Sequence, residues 1–239
     1  MRLGINIDHV ATLRNARGGT HPSPTRAAKI VEKCGADLLV VHLREDRRHI
    51  REEDISSIQK KISIPLQLEI APTNFMFDYC INNNIKKVCI VPEKREELTT
   101  EGGLDIKKNY SFLEKNLVKL TEKNVEVSLF LDPNIENIKR LNDLGLNAVE
   151  FHTGEFANAN KEEEKFFLDN IEKVTNFAIT RGISIRAGHG LNFQKVKELL
   201  NISGIEELNI GHFIIGEAIF IGLENVIKEM LALINESKK

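Results

Sequence analysis

Runs rich in valine, isoleucine and leucine recur about every thirty positions along the chain. They are Leu3–Asp8, Leu38–His42, Leu66–Glu69, Val88–Val91, Val127–Leu131, Ala148–His152, Ile183–Ala187 and Leu208–Ile210. Between them the apolar residues take helical spacing, as in Ala27–Cys34, Ile55–Ile62, Phe75–Ile81, Tyr110–Leu120, Ile135–Leu144, Phe166–Ile179, Val196–Leu200 and Val226–Ile234. Strand alternating with helix predicts parallel pairing through crossover helices. Several of the strand runs are nearly continuous in aliphatic residues, as a sheet covered on both faces requires. Eight such units in 239 residues fit a single closed (β/α)8 barrel, the TIM-barrel class, typically about 250 residues long. An open doubly wound sheet is the alternative. It is disfavoured because Ile7-Asp8-His9-Val10 follows the first strand, where a glycine-rich dinucleotide turn would stand.

The connections are unequal, and this orients the barrel. Helix-to-strand links are short, with Gly35, Gly145, Gly182 and Gly204 placed to end helices in the left-handed conformation. Strand-to-helix links are long after strand 1 (9–23), strand 2 (43–52), strand 4 (92–103) and strand 6 (153–161). Long loops gathered at the carboxyl ends of barrel strands are where active sites of this architecture form. No composition shift or linker divides residues 1–239 into further domains.

Composition narrows the classes. With 33 basic and 35 acidic residues the net charge is −2, which argues against a nucleic-acid binder. No apolar run approaches the roughly 18–20 residues of a membrane span, and the start lacks a secretory signal pattern. Cys34, Cys80 and Cys89 are odd in number and lack metal-site spacing, so reduced thiols in a cytoplasmic protein are expected.

The candidate chemistry is positional. Of seven histidines, five (His9, His42, His152, His189 and His212) fall at or just past the ends of strands 1, 2, 6, 7 and 8. Strand 3 ends in Glu69, strand 4 runs into Glu93 and strand 5 into Asp132. Glu69 closes an apolar strand, where an unpaired carboxylate either finds a partner or rises in pKa toward an acid–base role. Glu150 shares a strand face with His152 and is placed to orient a histidine, to stabilise positive charge or to form a structural ion pair. The stretch from Val41 to His49 holds Arg44 and His49, which suit phosphate or carbonyl oxygens. Asp46, Arg47 and Arg48 read equally well as a solvated turn. Arg14 and Arg17, before Gly18-Gly19, are candidates for an anion-binding loop or for surface ion pairs. Glycine turns at Ala187-Gly188-His189-Gly190 and at Gly211-His212 stand where barrels often bind phosphate. The insertion Leu98 to Gly103 reads as a lid or substrate clamp, with a plain surface loop as the alternative. No lysine ends strand 6, which disfavours an enzyme–substrate imine. The apolar stretch Phe213 to Ile221 is expected to pack in the core, and reads as a helix seam or a subunit contact.

Several stretches together resemble the pyridoxine 5′-phosphate synthase family. They are Asn6 to His9 with Ala11 to Gly18, Val41 to His49, and Val91 to Arg95 with Thr99 to Gly103. His152 to Gly154, Ala187 to Leu191 and Leu208 to His212 complete the set. The resemblance spans strand 1 to helix 8. It implies a (β/α)8 barrel that condenses 3-amino-2-oxopropyl phosphate with 1-deoxy-D-xylulose 5-phosphate, releasing phosphate and water, without a metal or organic cofactor. It implies proton acceptors at His42 and Glu69, a proton donor at His189 and charge stabilisation by Glu150. It further implies binding of the amino-ketone phosphate by Asn6, Arg17, Gly190, Gly211 and His212. Asp8, His9, Arg44, His49 and Thr99 would hold the deoxyxylulose phosphate. A homo-oligomer, an octamer, is implied as well. Two positions depart from the pattern: Arg186 stands where asparagine is usual, and Phe156 where tyrosine is common. Arg186 has strand parity opposite to His189, so its expected effect is confined to local charge. The rival readings are a metal-dependent barrel isomerase or hydrolase, and a non-catalytic phosphate-metabolite binding protein.

Overall fold

The computed structural model describes residues 1–93 and 102–236. Its strands are β1 (Arg2–Asn6), β2 (Leu38–His42), β3 (Leu66–Ile70), β4 (Lys87–Ile90), β5 (Glu126–Leu131), β6 (Ala148–His152), β7 (Ser184–Gly188) and β8 (Ile205–Ile210). All pairings are parallel, in chain order, and β8 closes on β1 with Leu3 opposite Leu208. The closed eight-stranded barrel expected from the repeat is the fold observed. Around it lie α1 (Asp8–Arg17), α2 (Pro24–Lys33), α3 (Glu52–Gln59), α4 (Asn74–Asn82), α5 (Ile106–Thr121) and α6 (Ile135–Asp143). They are followed by α7 (Gly154–Asn158), α8 (Lys161–Ile179), α9 (Phe193–Leu199), α10 (His212–Ile221) and α11 (Leu223–Glu236). No described helix is long and apolar enough to cross a membrane.

Local chemistry sets the helix limits. Ser23 accepts from the Arg26 amide with Pro24 opening α2, Thr73 accepts from the Met76 amide at α4, and Asn160 forms a capping box with Glu163 at α8. Gly35, Gly145, Gly182 and Gly204 all take positive φ after their helices, as expected.

The main core lies between sheet and helices, where Leu39, Leu68, Leu129, Phe151, Ile185 and Leu208 are fully buried against residues such as Phe77, Leu113, Ile138 and Ile227. Each contributes roughly 1.5–3 kcal/mol by leaving water. The lumen is different. Besides the small cluster of Cys89, Val91 and Phe130, it is crossed by polar contacts. Gln67 reaches Glu150 at 3.1 Å, Arg186 reaches Gln67 at 3.2 Å and Ser128 at 3.0 Å, and Lys87 meets Glu207 at 2.9 Å. The near-continuous aliphatic reading of the strands therefore holds for only one face of β3, β6, β7 and β8.

Two helices, α1 and α7, were not expected, and a third, α10, is less buried than expected. α1 begins directly at Asp8, so much of the stretch after strand 1 is helical, and α7 sits within the link after strand 6. α10 is almost wholly apolar yet buries only Ile214 completely; Ile219 and Phe220 are 76% and 80% exposed. One side of that stretch packs on the core through Phe213, Ile214, Ile215, Ala218 and Ile221, while Ile219 and Phe220 face outward.

Candidate active site

A cavity of about 380 Å³ opens at the carboxyl ends of the strands. Its lining includes Asn6, Asp8, His9, His42, Arg44, His49, Glu69, Glu150, His189, Gly190, Gly211 and His212. Twelve of the fourteen site positions that the family resemblance implies are thus brought together. Val91, Phe130 and Asn209, which sequence reasoning did not select, complete the wall and floor.

Strand ends and turns aim these groups. His42 ends β2, and its backbone N–H donates to Asp8 Oδ1 at 2.8 Å, tying β2 to the first turn of α1. Asp8 Oδ2 accepts from the Asn6 amide at 2.9 Å. The His42 ring lies between two carboxylates, with Nε2 2.9 Å from Glu93 Oε1 and Nδ1 3.7 Å from Glu69 Oε2. Glu150 sits on the floor, where Oε2 accepts from Asn209 at 2.7 Å and from Gln67 at 3.1 Å. His189 follows β7 with φ +84°, and the Thr153 hydroxyl holds that turn by donating to the His189 carbonyl oxygen at 2.7 Å. Gly188 cannot carry a side chain: a Cβ there would stand 2.8 Å from both Glu150 Oε1 and the Asn209 carbonyl oxygen. The glycine turns at Gly190 and Gly211 meet the N-terminus of α10 at His212, a site of unpaired backbone N–H groups suited to an anion.

Burial dominates the electrostatics. It raises Glu69 well above the ordinary carboxylate range, with Asp8 and Glu150 adding repulsion. Burial also lifts Glu150 to about 7, with Glu207 reinforcing it while the Asn209 and Gln67 amides oppose it. Asp8 is raised by burial although His42 and its hydrogen bonds pull the other way. The histidines move down. Burial brings His189 to about 4, helped by His152 and His212. It does the same for His49, helped by His42, His9, Arg44 and Arg48. His9 is lowered by burial and by His212, whose ring centroid is 4.9 Å away. Burial thus favours the uncharged forms of His9, His49 and His189 and of Asp8, Glu69 and Glu150, an arrangement able to give and take protons.

Several sequence expectations change. Arg17 ends α1 exposed and does not line the cavity, because the helix starting at Asp8 carries it roughly 14 Å along its axis at about 1.5 Å per residue. Arg14 is buried and bidentate to Asp54 at 2.5 and 2.9 Å, a structural pair and not an anion ligand. Arg47 pairs with Glu52, and Arg48 with Asp46, so that turn is internally compensated. Thr99, like residues 98–101 of the expected lid, lies outside the described residues. Parity counting fails for Arg186, because His189 is past the strand in a left-handed turn. Arg186 points into the lumen, donates to Gln67 beneath Glu150, and pairs with Glu126 and Glu207. Phe156 is buried, with the Lys195 ammonium 4.6 Å from its ring centroid.

Asp8, His42 and Glu69 each offer a ligand atom within 4.8 Å of the others. Both Asp8 oxygens already accept hydrogen bonds, His42 Nε2 is held by Glu93, and burial favours the protonated carboxyls. These groups fit a proton-exchanging cluster better than the ligand set of a cation.

Fold and cavity together define a (β/α)8 barrel whose ionisable groups converge at the strand ends, the layout of a barrel enzyme. Residues 3–236 match the family described as "Pyridoxal phosphate biosynthesis protein PdxJ". Pyridoxine 5′-phosphate synthase of Zymomonas mobilis is 47% identical over all of this chain and 93% of its own length. That of Wolbachia pipientis is 48% identical over 99% of this chain and 100% of its own. The chain belongs to this family of enzymes. Among solved structures, phosphoribosylanthranilate isomerase from Thermotoga maritima superposes with a TM-score of 0.61 at 12% identity, covering 99% of each chain. KGPDC from Streptococcus mutans gives 0.65 at 10% identity, over 99% of this chain and 98% of its own. At such low identity these two share only the barrel.

Proposed function

We propose that this chain condenses 3-amino-2-oxopropyl phosphate with 1-deoxy-D-xylulose 5-phosphate to pyridoxine 5′-phosphate, releasing phosphate and water. The observation that carries the reading is the meeting of His42, Glu69, Glu150 and His189 around one cavity. The substrate amine supplies the imine nitrogen, so no enzyme lysine is required. Carbinolamine dehydration and phosphate loss each break a C–O bond, and ring closure forms a new bond; each of these steps, like enolisation, needs a proton moved, which calls for several groups that titrate near neutrality. His42 and Glu69 take protons and His189 donates one, while Glu150 on the floor stabilises developing positive charge. His189 begins in its neutral form in the empty cavity, while burial raises the proton affinity of the Glu69 carboxylate, which strengthens it as a base. Arrival of phosphate dianions stabilises imidazolium, so binding itself charges the donor.

Gly190, Gly211, His212 and Asn6 form the wall suited to the amino-ketone phosphate; Asp8, His9, Arg44 and His49 face the second substrate. Holding both replaces a bimolecular encounter by an oriented one, worth up to about 7–11 kcal/mol. The exposed apolar face of α10 supports self-association, with the homo-octamer as the expected assembly. Purified protein incubated with both substrates and a chelator should yield pyridoxine 5′-phosphate by mass spectrometry. Absence of product under several buffer conditions overturns the reading; activity that depends on a tightly held metal favours a metal-dependent isomerase or hydrolase.

A further inference from the structure

Glu93 is a strand-end carboxylate for which the proton-transfer scheme has no use. It follows β4, is nearly buried, and lies 51 positions along the chain from the histidine it touches. Its two oxygens have separate duties. Oε1 is 2.9 Å from His42 Nε2, and Oε2 accepts from the Glu45 backbone N–H at 3.0 Å. The carboxylate therefore clamps both the imidazole and the chain three residues beyond it. An ionised carboxylate can only accept hydrogen bonds, so the contact places a proton on Nε2. In neutral His42 the lone pair then lies on Nδ1, the nitrogen facing Glu69 at 3.7 Å, too far for a direct hydrogen bond.

We propose that Glu93 is a positioning residue for His42: it fixes the Nε2–H tautomer and the ring orientation, leaving Nδ1 as the basic atom of the reaction. This rests on the synthase reading and refines it, since it assigns the base to one atom. The logic is that of a base oriented by a third group. Glu93 remains available as the anion. Burial works to raise its pKa, but the hydrogen bond and charge of His42, the Glu45 amide and Arg44 outweigh burial and hold it below the usual range. The charged and titratable groups around His42 are Asp8 from α1, Glu69 from β3, Glu93 after β4, and Arg44 and His49 from the loop after β2. Of these, Glu93 alone is within hydrogen-bonding distance of a His42 ring nitrogen among the described residues.

The test pairs spectroscopy with kinetics. Nitrogen-15 NMR of ligand-free protein, with the His42 signals assigned by difference from His42→Asn, should show Nε2 protonated and Nδ1 bare at neutral pH. In Glu93→Gln the side-chain NH2 must oppose either the ring N–H or the Glu45 N–H, so the tautomers should mix. kcat should fall roughly 10- to 100-fold, with KM changing less than about threefold. Loss of the negative charge beside the ring should move the acidic limb of the kcat profile to lower pH. Glu93→Asp, which keeps the charge, should restore the limb toward its original position. An Nδ1–H tautomer in the parent protein overturns the proposal even if Glu93→Gln fails to fold. So does a loss of kcat with tautomer and pH profile unchanged, the mark of a merely structural role. If the parent protein makes no product, the synthase reading falls, while the tautomer measurement still reports on the contact.

Discussion

Glu150→Gln should make the protein more stable and inactive, and the stability gain should grow with pH. Glu150 is 2% exposed, and burial lifts its pKa from 4.5 to about 7. The sign follows from linkage. Below the unfolded-state value the carboxyl is protonated in both states, and burial carries no ionic penalty. As pH rises past 4.5 the unfolded chain ionises first, and the folded state loses stability until the pH exceeds about 7. The full penalty is about 3 kcal/mol at roughly 1.4 kcal/mol per unit. Between about pH 5.5 and pH 8.5 it should increase by about 2 kcal/mol. Glutamine carries no such penalty, and its carbonyl oxygen can accept from Asn209 and Gln67 as Oε2 does. Because the chain has no tryptophan, urea unfolding followed by far-ultraviolet circular dichroism is the assay, run on parent and variant at both pH values. Taking the difference cancels titrations common to both proteins. A gap that is flat with pH, or that narrows as pH rises, would refute the argument that Glu150 is a destabilised carboxylate. In the same preparation kcat should fall at least about a hundredfold, as when charge stabilisation is lost.

Glu69→Gln should lose at least about two orders of magnitude in turnover while still binding phosphate by calorimetry; near-normal turnover would remove Glu69 from the proton-transfer set. Because His49 and His189 both lie at about 4, binding of inorganic phosphate near neutrality should take up protons. Calorimetry in two buffers of different ionisation enthalpy measures that uptake, and identical enthalpies in both would count against it. Ile219→Lys with Phe220→Lys on the exposed face of α10 should lower the mass seen by light scattering without changing the circular dichroism; an unchanged mass means that the subunits meet elsewhere.

The barrel and its mouth were legible because the β/α alternation places every strand end on one rim, so a histidine or carboxylate closing an apolar run is located by counting. What depends on partners far apart in the sequence was not. Arg14 pairs with Asp54 across 40 positions, and Glu93 meets His42 across 51. Arg17 was misplaced because a charged, glycine-terminated segment read as loop, whereas Asp8 at the first turn and a left-handed Gly18 at its end close it as a helix. The polar lumen did leave a trace. Leu66-Gln67-Leu68-Glu69-Ile70 and Ala148-Val149-Glu150-Phe151-His152 alternate with period two, the pattern of strands whose inner and outer faces meet different surroundings. Arg186 and Glu207 carry that alternation into the last two strands, where the register shift between Ile185 and Arg186 spoils simple counting.

Closure of the sheet through β1 and β8 sets the order in which the protein can become useful. The cavity wall runs from Asn6 to His212, and Arg2 stands opposite Glu207 across the seam. A chain emerging from the ribosome holds its first strand unpaired on one edge until nearly all the rest has been made. Proteolysis near the last strand would open the seam and break up the cavity wall at once, so loss of the cavity and loss of the barrel should occur as one event.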